Sequence, residues 1–165
     1  MLPDKASGTL SFLFTDLEGS TRLWERFPQA MKRALERHDS ILLTAVTAAG
    51  GQVVKTTGDG VLASFDGPGR GIRCAAALRD ELGGIGLQIR AGLHTGEVEL
   101  RDGDVGGIAV HLAARVMAAA GSGEILVSRT VRDLVVGSDI AVEDHGPHAL
   151  KGIEGSWQLY AVTGA

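Results

Sequence analysis

Cysteine is almost absent. The only one, Cys74, leaves no internal disulfide, and this usage fits a reducing cytosol. Cys74 sits in the helical apolar pattern Ile72-Arg-Cys-Ala-Ala-Ala-Leu78, which reads as a buried structural thiol. There is no excess of positive charge either. Net charge is −4 and no lysine or arginine run stands out. A nucleic-acid partner is therefore disfavoured, since phosphate backbones are met by basic patches. No apolar run approaches the roughly 18 residues of a membrane span. Asp4 and Lys5 lie where a signal peptide would need an apolar region. A cytoplasmic protein, with no membrane contact from this segment, is the expectation.

What is present suits one folded domain over residues 1–165, with a core from about 9 to 162. The chain has 165 residues and is 44% hydrophobic, enough to bury a sizeable core. Its 24 glycines are scattered through turns and form no low-complexity tract. Thr9–Thr15 reads as a strand and Ser20–Phe27 as a short helix. Pro28 opens a second helix that runs to about Ala49, where Gly50-Gly51 stops it. Gln52–Phe65 reads as a hairpin around Gly58-Asp59-Gly60. Pro68–Leu82 follows as a helix, Leu87–Leu100 as a long strand, Gly106–Ala120 as a helix and Glu124–Val127 as a short strand. Ser128 caps a helix to about Val135, and strands near Ile140–Glu143 and Trp157–Val162 finish the chain. This order predicts an α+β fold: a ferredoxin-like βαββαβ-type sheet with flanking helices.

Asp16 ends the first strand, in Thr9-Leu-Ser-Phe-Leu-Phe-Thr-Asp-Leu-Glu-Gly-Ser-Thr21, and Asp59 sits at the hairpin tip. Read alone, Asp16 is a turn or cap residue and Asp59 a hairpin residue. If their strands are neighbours, both carboxylates emerge at one sheet edge. Two unpaired carboxylates there repel unless a cation lies between them, and such ligands suit Mg²⁺ or Mn²⁺. Lys55, taken alone, is a solvent-facing position on a half-buried strand, and Asp104 an ordinary loop carboxylate. His111 and Arg115 interrupt an almost wholly apolar helix at i,i+4 and share one face. A fixed guanidinium there suits a phosphate.

The segments FTDLEGST, KTTGDG and GDVGGIAVHLAAR resemble, in order and spacing, the three signatures of class III nucleotidyl cyclase catalytic domains. The resemblance runs from about Thr9 to Val162. It implies a sheet with ferredoxin-like connections and surrounding helices. It implies that Asp16 and Asp59 hold two divalent ions, Mg²⁺ or Mn²⁺. Lys55 and Asp104 match the pair that reads the purine edge, and Lys/Asp there favours ATP over GTP. Arg115 matches the arginine that stabilises charge on the α-phosphate. His111 falls where the family usually has Asn, which orients the ribose; His is bulkier and titrates near neutral pH. Lys151 resembles the late lysine that contacts the triphosphate. In this family the site forms between two domains, so one chain carrying all these groups implies a head-to-tail homodimer with composite sites.

The resemblance implies an adenylate cyclase that makes 3′,5′-cyclic AMP. A guanylate or dual-specificity cyclase, or a nucleotide-binding regulatory module without turnover, are the other readings. No Gly-Gly-Asp/Glu-Glu-Phe signature of diguanylate cyclases lies on the hairpin. His38, His94, His145 and His148 read as packing or surface residues, and Trp24 and Trp157 as core or interface anchors. Glu18 reads as a solvated turn residue, and the Leu17–Gly19 backbone as a source of N–H groups for phosphates.

Overall fold

The computed structural model describes residues 7–101 and 104–165, with side chains at 8–98 and 107–165. The elements in chain order are β1 (Ser7–Leu17), α1 (Ser20–Arg26), α2 (Pro28–Ala48), β2 (Gln52–Thr56), β3 (Val61–Phe65), α3 (Pro68–Gly83) and β4 (Ile89–Arg101). They continue with β5 (Asp104–Gly106), α4 (Ile108–Ala118), β6 (Ile125–Ser128), α5 (Arg129–Val135), β7 (Ala141–Ala149) and β8 (Ser156–Gly164). The strands form one sheet in the order β2-β3-β1-β4-β6-β8-β7, with β5 paired to β4. The β2-β3-β1-β4 portion is antiparallel throughout, which is the expected ferredoxin-like arrangement. The β4–β6 pair is parallel.

β1 runs through the middle of the sheet and is buried on both faces, which explains its nearly continuous apolar sequence. Leu13 and Leu17 face a core built with α2, α3 and α5, where Met31, Leu42, Ile72, Leu78 and Val131 are buried. Leu10, Phe12 and Phe14 face the opposite side, where α4 packs with Ala109 and Ala113. Further along α4, Leu112 and Val116 pack on Leu126 and Leu159. α4 crosses the sheet closely: a Cβ on Gly92 would lie 2.1 Å from the Met117 backbone nitrogen.

Several elements differ from the sequence reading: β1, expected over Thr9–Thr15, runs Ser7–Leu17 and so takes in Asp16. β5 (Asp104–Gly106) replaces the loop that the sequence suggests there, because three residues without an apolar pattern give no strand signal. α4 starts two residues later than expected, since Gly106 pairs with Glu99 in β5 and Gly107 (φ 118°) breaks the backbone. β7 is much longer than expected. Its sequence Ala-Val-Glu-Asp-His-Gly-Pro-His-Ala is polar and carries Pro147, both of which an exposed edge strand tolerates. Cys74 is buried as expected, and burial pushes its thiol up to about 12.

His38 and His94 are core residues. His38 bonds its neighbour Asp39 at 3.0 Å. His94 Nδ1 lies 2.7 Å from Ser128 Oγ, the N-cap of α5. Burial lowers the His94 pKa. The unfolded chain therefore binds more protons than the native one once pH falls through about 6.5, so stability is lost with acidification. The urea midpoint should fall between about pH 7.5 and 5.5, and fall less in His94→Gln; an equal fall in both would assign the acid sensitivity elsewhere.

Candidate active site

Gly60 builds the first half of the site. A Cβ on Gly60 would lie 1.8 Å from the Thr15 carbonyl oxygen and 3.0 Å from Asp16 Cα. Only glycine allows that approach. Thr15 pairs with Val61 across the β1–β3 ladder, so the hairpin tip that carries Asp59 abuts the end of β1 that carries Asp16. The structure thus brings the two aspartates to one edge, and both are partly exposed.

Asp16 is not left unpaired beside Asp59. Arg90, opposite Asp16 on β4, donates to both its oxygens: Nε to Oδ1 at 2.7 Å and Nη2 to Oδ2 at 3.0 Å. Its Nη1 donates to the carbonyl of Ala118 at the end of α4, 3.2 Å away. The Asp16 hydrogen bonds raise the Arg90 pKa, with further attraction from Asp16, Glu18 and Asp59. Sequence reasoning missed Arg90 because its partner is 74 residues away. The available signal was a charge inside the apolar stretch Leu87-Gln-Ile-Arg-Ala-Gly-Leu93.

Asp16 and Asp59 offer hard carboxylate oxygens. Among the described residues, no group of three or more His, Cys, Asp or Glu side chains is arranged to hold a metal. Two carboxylates alone fit Mg²⁺ or Mn²⁺, which complete their shells with water and substrate phosphates. They do not fit a self-contained structural site such as zinc prefers.

The second group lies on α4 and the β7–β8 turn. His111 and Arg115 occupy one side of α4 and are half-buried. Arg115 Nε is buried without a hydrogen-bond partner among the described residues. Gly152 (φ 79°) abuts His111, since a Cβ there would be 3.6 Å from Nε2. This sets the turn bearing the exposed Lys151 against α4. Lys55, exposed, pairs with Leu62 after a bulge at Val54. Asp104 pairs with Arg101 in the β4–β5 ladder, and its side chain lies outside the described residues. Among the described residues, no hydrogen bond or ion pair joins the Asp16–Asp59–Arg90 group to His111, Arg115 or Lys151.

Residues 2–164 match the family model of the adenylate and guanylate cyclase catalytic domain. The chain belongs to this family. An uncharacterized protein of Mycobacterium tuberculosis is 37% identical over 153 residues, 89% of this chain and 53% of that protein. The chain thus spans about half the length of that relative. The crystal structure of the P. aeruginosa adenylyl cyclase CyaB superposes with a TM-score of 0.90 at 25% identity, covering 96% of this chain and 95% of the other. An adenylate/guanylate cyclase/hydrolase from Silicibacter pomeroyi gives 0.83 at 31% identity, over 94% and 96%. Among the described residues, no helix of the cyclase domain is long and apolar enough to cross a membrane.

Removing Arg90 leaves Asp16 beside Asp59 and Glu18 without its counter-charge. Arg90→Ala in this cyclase domain should cost about 2 kcal/mol. Mn²⁺ should restore part of the lost Tm by binding the folded carboxylates. Asp16→Asn combined with Arg90→Ala should show no such rescue; equal rescue in both would place the ion elsewhere.

Proposed function

We propose that this cyclase domain converts ATP to 3′,5′-cyclic AMP and pyrophosphate, as a head-to-tail homodimer whose sites draw on both chains. The observation that carries the reading is the approach of Gly60 to Thr15–Asp16, which sets two carboxylates at the end of a rigid sheet. Divalent ions held there would lower the pKa of the ribose 3′-hydroxyl and neutralise the triphosphate. Asp16 would hold an ion through carboxylate lone pairs that its Arg90 bonds leave free, and Arg90 would place positive charge beside the phosphate oxygens. Arg115 meets the charge that develops on the α-phosphate, and its unpartnered Nε supports this role. His111 donates to the ribose in place of the family's Asn. Lys151 contacts the triphosphate. The 3′-oxygen bonds to the α-phosphorus in line, its proton passes to water, and pyrophosphate departs.

Substrate choice rests on Lys55 and Asp104. Lysine donates to adenine N1 and aspartate accepts from the amino group, whereas guanine would leave both unpaired. The dimer rests on the division of the site into two sets of side chains that, among the described residues, share no hydrogen bond or ion pair. Exposed apolar side chains support it: Trp24 in α1, Phe27 just after it, and Ile108, which opens α4 at 62% exposure.

Asp59→Ala and Arg115→Ala should each abolish cyclic AMP formation. Mixed, they should recover about a quarter of the wild-type rate under random pairing, because one of two sites in each mixed dimer is whole. No recovery from demonstrated mixed dimers would contradict the shared site.

A further inference from the structure

Glu124, His145 and His148 form a hydrogen-bonded chain that the proposed chemistry does not use. Glu124 is fixed at the turn before β6. Its amide donates to the Gly121 carbonyl at 3.0 Å, its carbonyl accepts from Ala91 at 3.0 Å, and its Oε1 accepts from the Gly121 amide at 2.9 Å. Its second oxygen lies 3.1 Å from His145 Nε2. His145 Nδ1 lies 2.9 Å from His148 Nε2, which is also 3.2 Å from the His145 carbonyl. The rings stack with centroids 5.0 Å apart.

One tautomer assignment is consistent with these contacts if the His148 N–H is shared between His145 Nδ1 and the His145 carbonyl. His148 donates from Nε2, His145 accepts at Nδ1, and His145 donates from Nε2 to the carboxylate. The backbone is shaped for it. A bulge between Asp144 and Gly146, with Gly146 at φ 88°, breaks the β7 ladder at His145. The Asp144 carboxylate holds the bulge by accepting from the Gly146 amide at 2.7 Å.

The place of the chain in the fold gives it a use. β7 leads into the turn 150–155, which carries Lys151. That turn packs on α4 through Leu150 and Ile153 against Leu112 and Val116, and Gly152 abuts His111. These apolar contacts hold the turn near α4 but are not directional. The Glu124–His145–His148 chain is directional, and it ties the same hairpin to the turn that follows α4. His148 is three residues from Lys151 and His145 is six.

We propose that Glu124, His145 and His148 are positioning residues: they fix the register of the β7–β8 hairpin along α4 and so hold Lys151 where it meets the triphosphate. The inference rests on the reading of Lys151 in the preceding section.

The Ile153 amide reports the hairpin directly, since it bonds the Leu150 carbonyl at 3.0 Å across the turn. In His145→Ala its hydrogen-exchange protection should fall at least about tenfold, without loss of protection in β1. Affinity for 3′-deoxy-ATP with Mn²⁺ should weaken about fivefold. His145→Gln should rescue both, because a Gln amide can donate to Glu124 and accept from His148. Glu124→Ala should reproduce the losses, and stands in if His145→Ala does not fold. Unchanged Ile153 protection would overturn the clasp. Lost protection with unchanged affinity would overturn its role in positioning Lys151. These readouts need no turnover. If the protein binds the analogue but makes no cyclic AMP, the proposed function fails, while a His145-dependent affinity still supports the positioning role.

Discussion

The approach of Gly60 to the Thr15 carbonyl is the constraint on which the site depends. A side chain at residue 60 would force the hairpin tip from the end of β1 and separate Asp59 from Asp16. The contact is backbone on backbone, so no rotamer change can relieve it. It is set in turn by the β1–β3 ladder, whose register runs without interruption from Ser11↔Phe65 to Thr15↔Val61. The charge at the end of a core strand is therefore held by an uninterrupted backbone ladder. Rigid placement matters because carboxylates kept close together store repulsion that a cation releases.

Arg90 resolves that repulsion within the folded protein. Its two bonds to Asp16 balance one carboxylate and attract Asp59 and Glu18. Arg90 also reaches the end of α4 through the Ala118 carbonyl. The carboxylate edge and the helix that carries Arg115 are thus joined by one guanidinium, which bonds a carbonyl three residues along the chain from Arg115. The half-site that offers anionic ligands and the half-site that offers cationic ones share this frame but have no direct bond among the described residues. The proposed second chain would bring complementary halves together, and the exposed Trp24, Phe27 and Ile108 are candidate apolar surface for it.

Much of this was legible in the sequence, for physical reasons. β1, the hairpin and α3 announce themselves through dense apolar patterns and Gly or Pro boundaries, because they are buried or sharply turned. The Asp16–Asp59 pairing followed from placing two strand ends at one edge. The rest depended on contacts that no local pattern encodes. Arg90 meets Asp16 only across the β1–β4 register. β7 hid because an edge strand needs no apolar alternation. His145 and His148 read as packing or surface residues, yet His145 meets Glu124 where a bulge breaks the ladder, and His148 meets His145 in turn. Lys55 and Asp104 carry meaning through resemblance, since Lys55 is solvent-exposed and has no local partner pattern.

The central claim is that this domain cyclises ATP as a dimer. The most direct test is to incubate the purified protein with ATP or GTP and Mn²⁺ across a range of protein concentrations, and to quantify the cyclic nucleotide formed. Cyclic AMP is expected in preference to cyclic GMP, at a rate that rises more steeply than protein concentration below the dimer Kd. Cyclic GMP as the main product would contradict the Lys55–Asp104 reading. No product from either nucleotide, with metal-dependent ATP binding intact, would contradict catalysis itself and turn attention to His111.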